Sequence, residues 1–110
     1  KGKHLVVDAL VDTGAVAILL PKDIVRRIGL KIFGKTPVTL ADDRKRFMPV
    51  AGPLWLTAFG RPMITDCLVG PSGCEPLIGQ IVLERLDLIL DPKNREIKPR
   101  LSSGPVLKLK

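Results

Sequence analysis

The chain has 110 residues, 45% of them hydrophobic, and a formal net charge of +7 with a pI near 9.9. That length makes one small domain with enough apolar material for a core, and no run approaches the roughly 20 apolar residues that span a bilayer, so the expectation is a soluble globular protein with no membrane segment in this chain. Two cysteines and a single histidine, His4, exclude a disulfide scaffold and a Cys/His cluster at metal-ligand spacing.

Cys67 and Cys74 flank a turn-rich stretch, Gly70, Pro71, Ser72, Gly73, and are expected to be free and reduced. His4 is expected to be a solvated surface residue. The chain begins at Lys1 and not at a methionine, which leaves room for an upstream segment, and the expected location is cytoplasmic. The basic residues are scattered, with one compact cluster at Arg44, Lys45, Arg46. The four aromatics, Phe33, Phe47, Trp55 and Phe59, offer no stacking platform beside it, so no nucleic-acid partner is expected. The charge would steer acidic peptides or surfaces toward the chain.

Residues 4–11 form an apolar run that predicts a strand covered on both faces, driving into Asp12 and then a tight turn, Thr13, Gly14, Ala15. Asp12 at the end of such a strand is expected to be partly withdrawn from water, where an unpartnered carboxylate is costly and becomes chemically useful. Thr13 brings a hydroxyl that both donates and accepts, and Gly14 lets another backbone or a ligand approach. The plainer role for Asp12 is a turn residue whose carboxylate caps backbone amides.

Val16, Ala17, Ile18, Leu19, Leu20 is a second apolar run. Pro21 then opens a predicted helix that stops at Gly29, with Ile24, Val25 and Ile28 on its packed face and Lys22, Arg26 and Arg27 in water. Residues 35–50 predict a hairpin with a charged tip, residues 55–59 a separate strand after Gly52 and Pro53, and residues 63–69 another. Trp55 is expected to be a core or interface aromatic. Short strands at regular spacing imply an all-β closed or folded-over sheet. Glu75, Pro76, Leu77, Ile78, Gly79, Gln80 follows, whose glycine implies close backbone passage. After it come a short helix over 81–86, a strand over 87–90, a turn over 91–94, a returning strand at 95–97, and a linker-like tail.

Leu10, Val11, Asp12, Thr13, Gly14, Ala15 together with Leu77, Ile78, Gly79 resembles the retropepsins, the single-domain retroviral-type aspartic proteases, in a cellular or bacterial-type and not a viral form. The resemblance spans most of the chain, with residues 1–100 as the protease domain, its N-terminal strand short, and residues 101–110 as a C-terminal tail. It implies a mainly β fold, a retropepsin-like acid-protease barrel or folded sheet with one or two short helices, active as a homodimer.

In that family each subunit brings one aspartate to a shared site. The resemblance therefore implies Asp12 as the catalytic residue, Thr13 and Gly14 as active-site support, and Leu77, Ile78, Gly79 as the structural motif. It implies Gly14, Ala15, Val16, Leu40, Ala41, Asp42, Asp43 and Ile78 as substrate-binding, with the hairpin over residues 38–50 as a flap. The substrate is then a peptide or protein, and no metal or organic cofactor is implied.

The chain departs from the viral pattern in three places. The flap is charged where viral flaps are glycine-rich. Val16 and Gln80 stand where viral members often carry an Asp and Arg that pair. Few residues precede Asp12, so dimer closure would fall to strands around residues 88–97 or to residues upstream. Two readings from other classes stay open: a catalytically silent dimerisation or peptide-binding module on the same fold, and a basic nucleic-acid-binding β domain.

Overall fold

The computed structural model describes residues 5–12, 14–39, 42–91 and 96–99, so His4, Thr13, Leu40, Ala41, the turn over 92–94 and the 101–110 tail lie outside the described residues. The chain is mainly β. In order it forms β1 (Leu10–Val11), β2 (Leu19–Pro21), α1 (Lys22–Arg27), β3 (Lys31–Thr39), β4 (Lys45–Ala58), β5 (Arg61–Gly70), β6 (Leu77–Ile78), α2 (Gln80–Arg85), β7 (Leu88–Asp91) and β8 (Glu96–Pro99).

The first six strands make one sheet in the order β1-β6-β2-β5-β4-β3, and β7 and β8 form a separate antiparallel pair. The sheet does not close into a barrel. Its edges are β1, which is two residues long, and β3, which carries Lys31, Lys35 and Pro37; short, lysine-bearing and proline-containing strands are poor templates for a further ladder.

Helix α1 ends just before Gly29 as expected, with Val25 buried and Lys22, Arg26 and Arg27 exposed. Helix α2 buries Val82 and Leu83. These side chains meet Ile18, Leu20, Leu54, Met63, Cys67 and Val69 in one core on one side of the sheet. Both cysteines are free.

Three expectations need correction. Of residues 5–11 only Leu10 and Val11 are strand, and Val6 is 96% and Leu10 49% exposed. Among the described residues β1 has a neighbour on one side only, which leaves these side chains uncovered by them. Second, the segments expected as two strands around Gly52 and Pro53 are one continuous β4. Proline lacks the N–H a ladder needs, and here it falls at a register shift between Ala51 and Leu54. Third, Trp55 is 73% exposed, which removes the core half of its core-or-interface expectation and leaves the interface half untouched: Leu54 and Leu56 take the inward positions of β4, and alternation sends Trp55 to the other face.

The β4–β5 hairpin closes through Phe59 and Gly60, both at positive φ (53° and 73°), between the paired Ala58 and Arg61. That is the backbone a two-residue hairpin turn requires. From this turn Arg61 reaches the end of α2, its Nη1 donating to the carbonyls of Leu86 (2.6 Å) and Asp87 (2.9 Å).

Candidate active site

The two motifs that the sequence separates by more than sixty residues are adjacent in space. β6 lies between β1 and β2: Leu10 and Val11 pair in parallel with Leu77 and Ile78, and Leu19 pairs with Leu77 from the other side in antiparallel register. Apolar residues dominate all three strands because each is short and depends on its neighbours for cover. The Leu10 N–H donates to the Pro76 carbonyl at 2.8 Å and the Asp12 N–H to the Ile78 carbonyl at 3.0 Å, so the strand is held up to the catalytic candidate itself.

Past Asp12 the chain turns and is held again. The Ala15 N–H donates to the Asp12 carbonyl (3.0 Å), while the Ala15 and Val16 carbonyls accept from the N–H groups of Gln80 (2.8 Å) and Ile81 (3.1 Å) at the start of α2. Gly79 sits between these ties. A β-carbon there would stand 2.6 Å from the carbonyl oxygens of Ala15 and Ala17, so the close passage expected at this glycine is present.

The carboxylate of Asp12 has one hydrogen bond among the described residues: its Oδ1 accepts from the Gly14 N–H at 2.9 Å. Asp12 is exposed, contrary to the expected partial withdrawal, and the reason is again the edge position of β1. Val6, Leu10 and Val16, in the same stretch of chain, are also exposed, Val16 by 72%.

The structure thus brings together Asp12, Gly14, Ala15, Val16, Leu77, Ile78 and Gly79. Asp42 and Asp43 sit at the end of the β3–β4 hairpin, at the sheet edge opposite β1, where Asp42 pairs with Arg44 (Oδ2 to Nε, 2.7 Å) and Asp43 has a φ of 65°. Among the described residues no hydrogen bond joins this hairpin to the Asp12 turn. Thr13, Leu40 and Ala41, also expected at the site, lie outside the described residues.

Reading the sequence alone missed the tie between residues 15–16 and 80–81. A signal for it existed in Gly79, whose place after two large apolar residues implied a close backbone passage. The Gln80 side chain runs along its own helix, Nε2 donating to Glu84 at 3.4 Å. Among the described residues no three His, Cys, Asp or Glu side chains are grouped as metal ligands, and no helix is long and apolar enough to cross a membrane. No family model, no curated protein and no solved structure matches the chain.

Proposed function

We propose that this chain is one subunit of a homodimeric, retropepsin-like aspartic endopeptidase. The observation that carries the reading is the threading of β6 between β1 and β2, which places the Leu77, Ile78, Gly79 run against the turn that presents Asp12. A turn whose only task is to reverse the chain does not need four backbone hydrogen bonds from a distant segment. A turn that must hold a carboxylate in a fixed direction does.

One chain offers one such carboxylate, and peptide hydrolysis by carboxylates alone needs two, an acid and a base. Twofold symmetry supplies the second copy of Asp12. The exposed Val6, Leu10 and Val16 in the same stretch of chain are the apolar contact such a partner would bury, and its arrival would withdraw Asp12 from water.

Two carboxylates about 3 Å apart cannot both ionise readily and hold one proton between them. The ionised carboxylate then takes a proton from a water lying between the pair. The protonated one donates to the scissile carbonyl, and the product of attack is a tetrahedral diol with no covalent enzyme intermediate. The Gly14 N–H, already bonded to Oδ1, restrains the rotation of each carboxylate. Exposed backbone at Gly14 gives an extended peptide main-chain groups to pair with.

A second reading, the silent peptide-binding or dimerisation module, is favoured by one feature: the Asp12 to Gly14 hydrogen bond is also what an ordinary aspartate turn makes. Peptide-library digestion followed by mass spectrometry separates the two. The parent chain and its Asp12→Asn variant are compared at acidic and neutral pH over a range of chain concentrations. Cleavage by the parent only, rising more steeply than linearly with concentration, is the expected result; no cleavage by either, with a dimer seen by sedimentation, would favour the module.

A further inference from the structure

The β3–β4 hairpin continues past the sheet as a two-stranded arm. β4 pairs with β5 only from Val50 onward, whereas β3 and β4 pair from Lys35 with Pro49 as far as Thr39 with Lys45. Side chains directly opposite in an antiparallel pair share a face. Lys35, Pro37 and Thr39 therefore stand on one face of the arm with Lys45, Phe47 and Pro49.

On that face Phe47 is 63% exposed, and the Lys35 Nζ lies 5.6 Å from its ring centroid. Lys45 is exposed on the same face, whereas Arg46 is opposite Val38 on the other face and Arg44 is bonded to Asp42. The carboxylates of the arm are Asp42, which is already bonded to Arg44, and Asp43. Four cations against two carboxylates, one of them internally paired, leave the arm with a net positive charge beside an uncovered aromatic ring.

We infer that this arm is a docking surface for an acidic polypeptide segment, which lays carboxylates against Lys35 and Lys45 and an apolar side chain against Phe47. A polypeptide fits this surface better than a nucleic acid does. The arm offers one aromatic ring, and a lysine already approaches it where a base would have to stack. Asp42 and Asp43 would also repel a continuous polyanion, while separate carboxylates on a peptide can be spaced to avoid them. The inference does not depend on Asp12, because it concerns binding and not cleavage.

The test is fluorescence anisotropy with the full chain and a short labelled peptide of alternating glutamate and leucine, set against the same peptide with lysine for glutamate and against a single-stranded RNA of equal charge. The acidic peptide should bind tighter than the lysine peptide and the RNA, with affinity falling as ionic strength rises. The K35Q/K45Q variant should bind it about fivefold more weakly, two exposed ion pairs being worth about 1 kcal/mol together. Phe47→Ser should also weaken it. The R26Q/R27Q variant removes the same number of charges from the solvent face of α1 and should leave the affinity unchanged; it also reports whether such double changes preserve the fold. Equal losses from both double variants would show diffuse charge only, and tighter binding of the RNA would assign the arm to nucleic acid; either result overturns the inference, as does equal binding of the two peptides.

Discussion

Gly79 lies so close to Ala15 that a β-carbon on it would stand 2.6 Å from the Ala15 carbonyl oxygen, and at the same distance from that of Ala17. Both neighbours are backbone, and the Ala15 carbonyl is already engaged by the Gln80 N–H, so neither can step aside cheaply. Gly79→Ala should therefore cost about 3 kcal/mol, at the upper end for overpacking, and should shift the Asp12 turn. Gly34→Ala is the control: nothing lies within 4 Å of a β-carbon there, and its cost should stay within about 0.5 kcal/mol. Urea unfolding of the two variants measures both.

Asp12→Asn separates the turn from the chemistry. Asparagine keeps the side-chain oxygen that accepts from the Gly14 N–H, so the stability of this exposed site should change by no more than about 0.5 kcal/mol. The amide cannot serve as general base, and peptide cleavage should fall by about a thousandfold or more. Thermal unfolding and digestion of the same peptide mixture, run side by side, read the two effects.

Much of this architecture is legible in the order of residues, and the parts that are not have a common cause. Pro21 and Gly29 bracket α1 because their effects are local, and the charged 41–46 stretch between apolar alternations marks its hairpin for the same reason. Gly79 announces a close approach because the glycine follows two large apolar residues at a place where a side chain would otherwise help the core. What a local pattern cannot carry is which strand ends up beside which. Asp12 follows an apolar run and so suggests burial, yet β1 is an edge strand and the carboxylate is exposed. Trp55 looks like core material, but its side of the sheet is decided by the inward Leu54 and Leu56. Pro53 suggests a break and is absorbed by a register shift that only the partner strand reveals.

Arg61 joins the β4–β5 turn to the end of α2, where the last carbonyls of a helix have no partner within it. Arg61→Ala would remove a charged donor from two carbonyls in a half-buried place and should cost about 2 kcal/mol. Arg61→Lys keeps the charge but offers a single flexible nitrogen in place of the planar guanidinium, and should recover only part of the loss. Thermal melts of the three proteins order them.

Burial, with a smaller contribution from the Asp66 charge, pushes the Cys67 thiol up from 9.0 to about 11, against a hydrogen bond with the Ala51 backbone that lowers it. The native state therefore holds this proton more tightly than the unfolded chain. The stabilisation is complete below pH 9 and is lost as the pH rises toward 11, an effect on the order of 2 kcal/mol. Cys67→Ala should show a constant offset below pH 9 and a shallower decline above it. Denaturant midpoints taken across that range, parent against variant, isolate the contribution of the thiol.

Mixing the parent chain with Asp12→Asn tests the shared site directly. If each active unit needs two Asp12 carboxylates, one from each of two copies, random pairing of equal amounts leaves about a quarter of the dimers with both. Cleavage at a fixed total concentration should then fall to about a quarter of the parent value once subunits have exchanged. A catalyst that works through a single Asp12 would retain about half under the same conditions. The curve of activity against the fraction of parent chain distinguishes the two without any assumption about substrate: a parabola requires the symmetric pair, and a straight line would remove the dyad from the mechanism while leaving Asp12 in it.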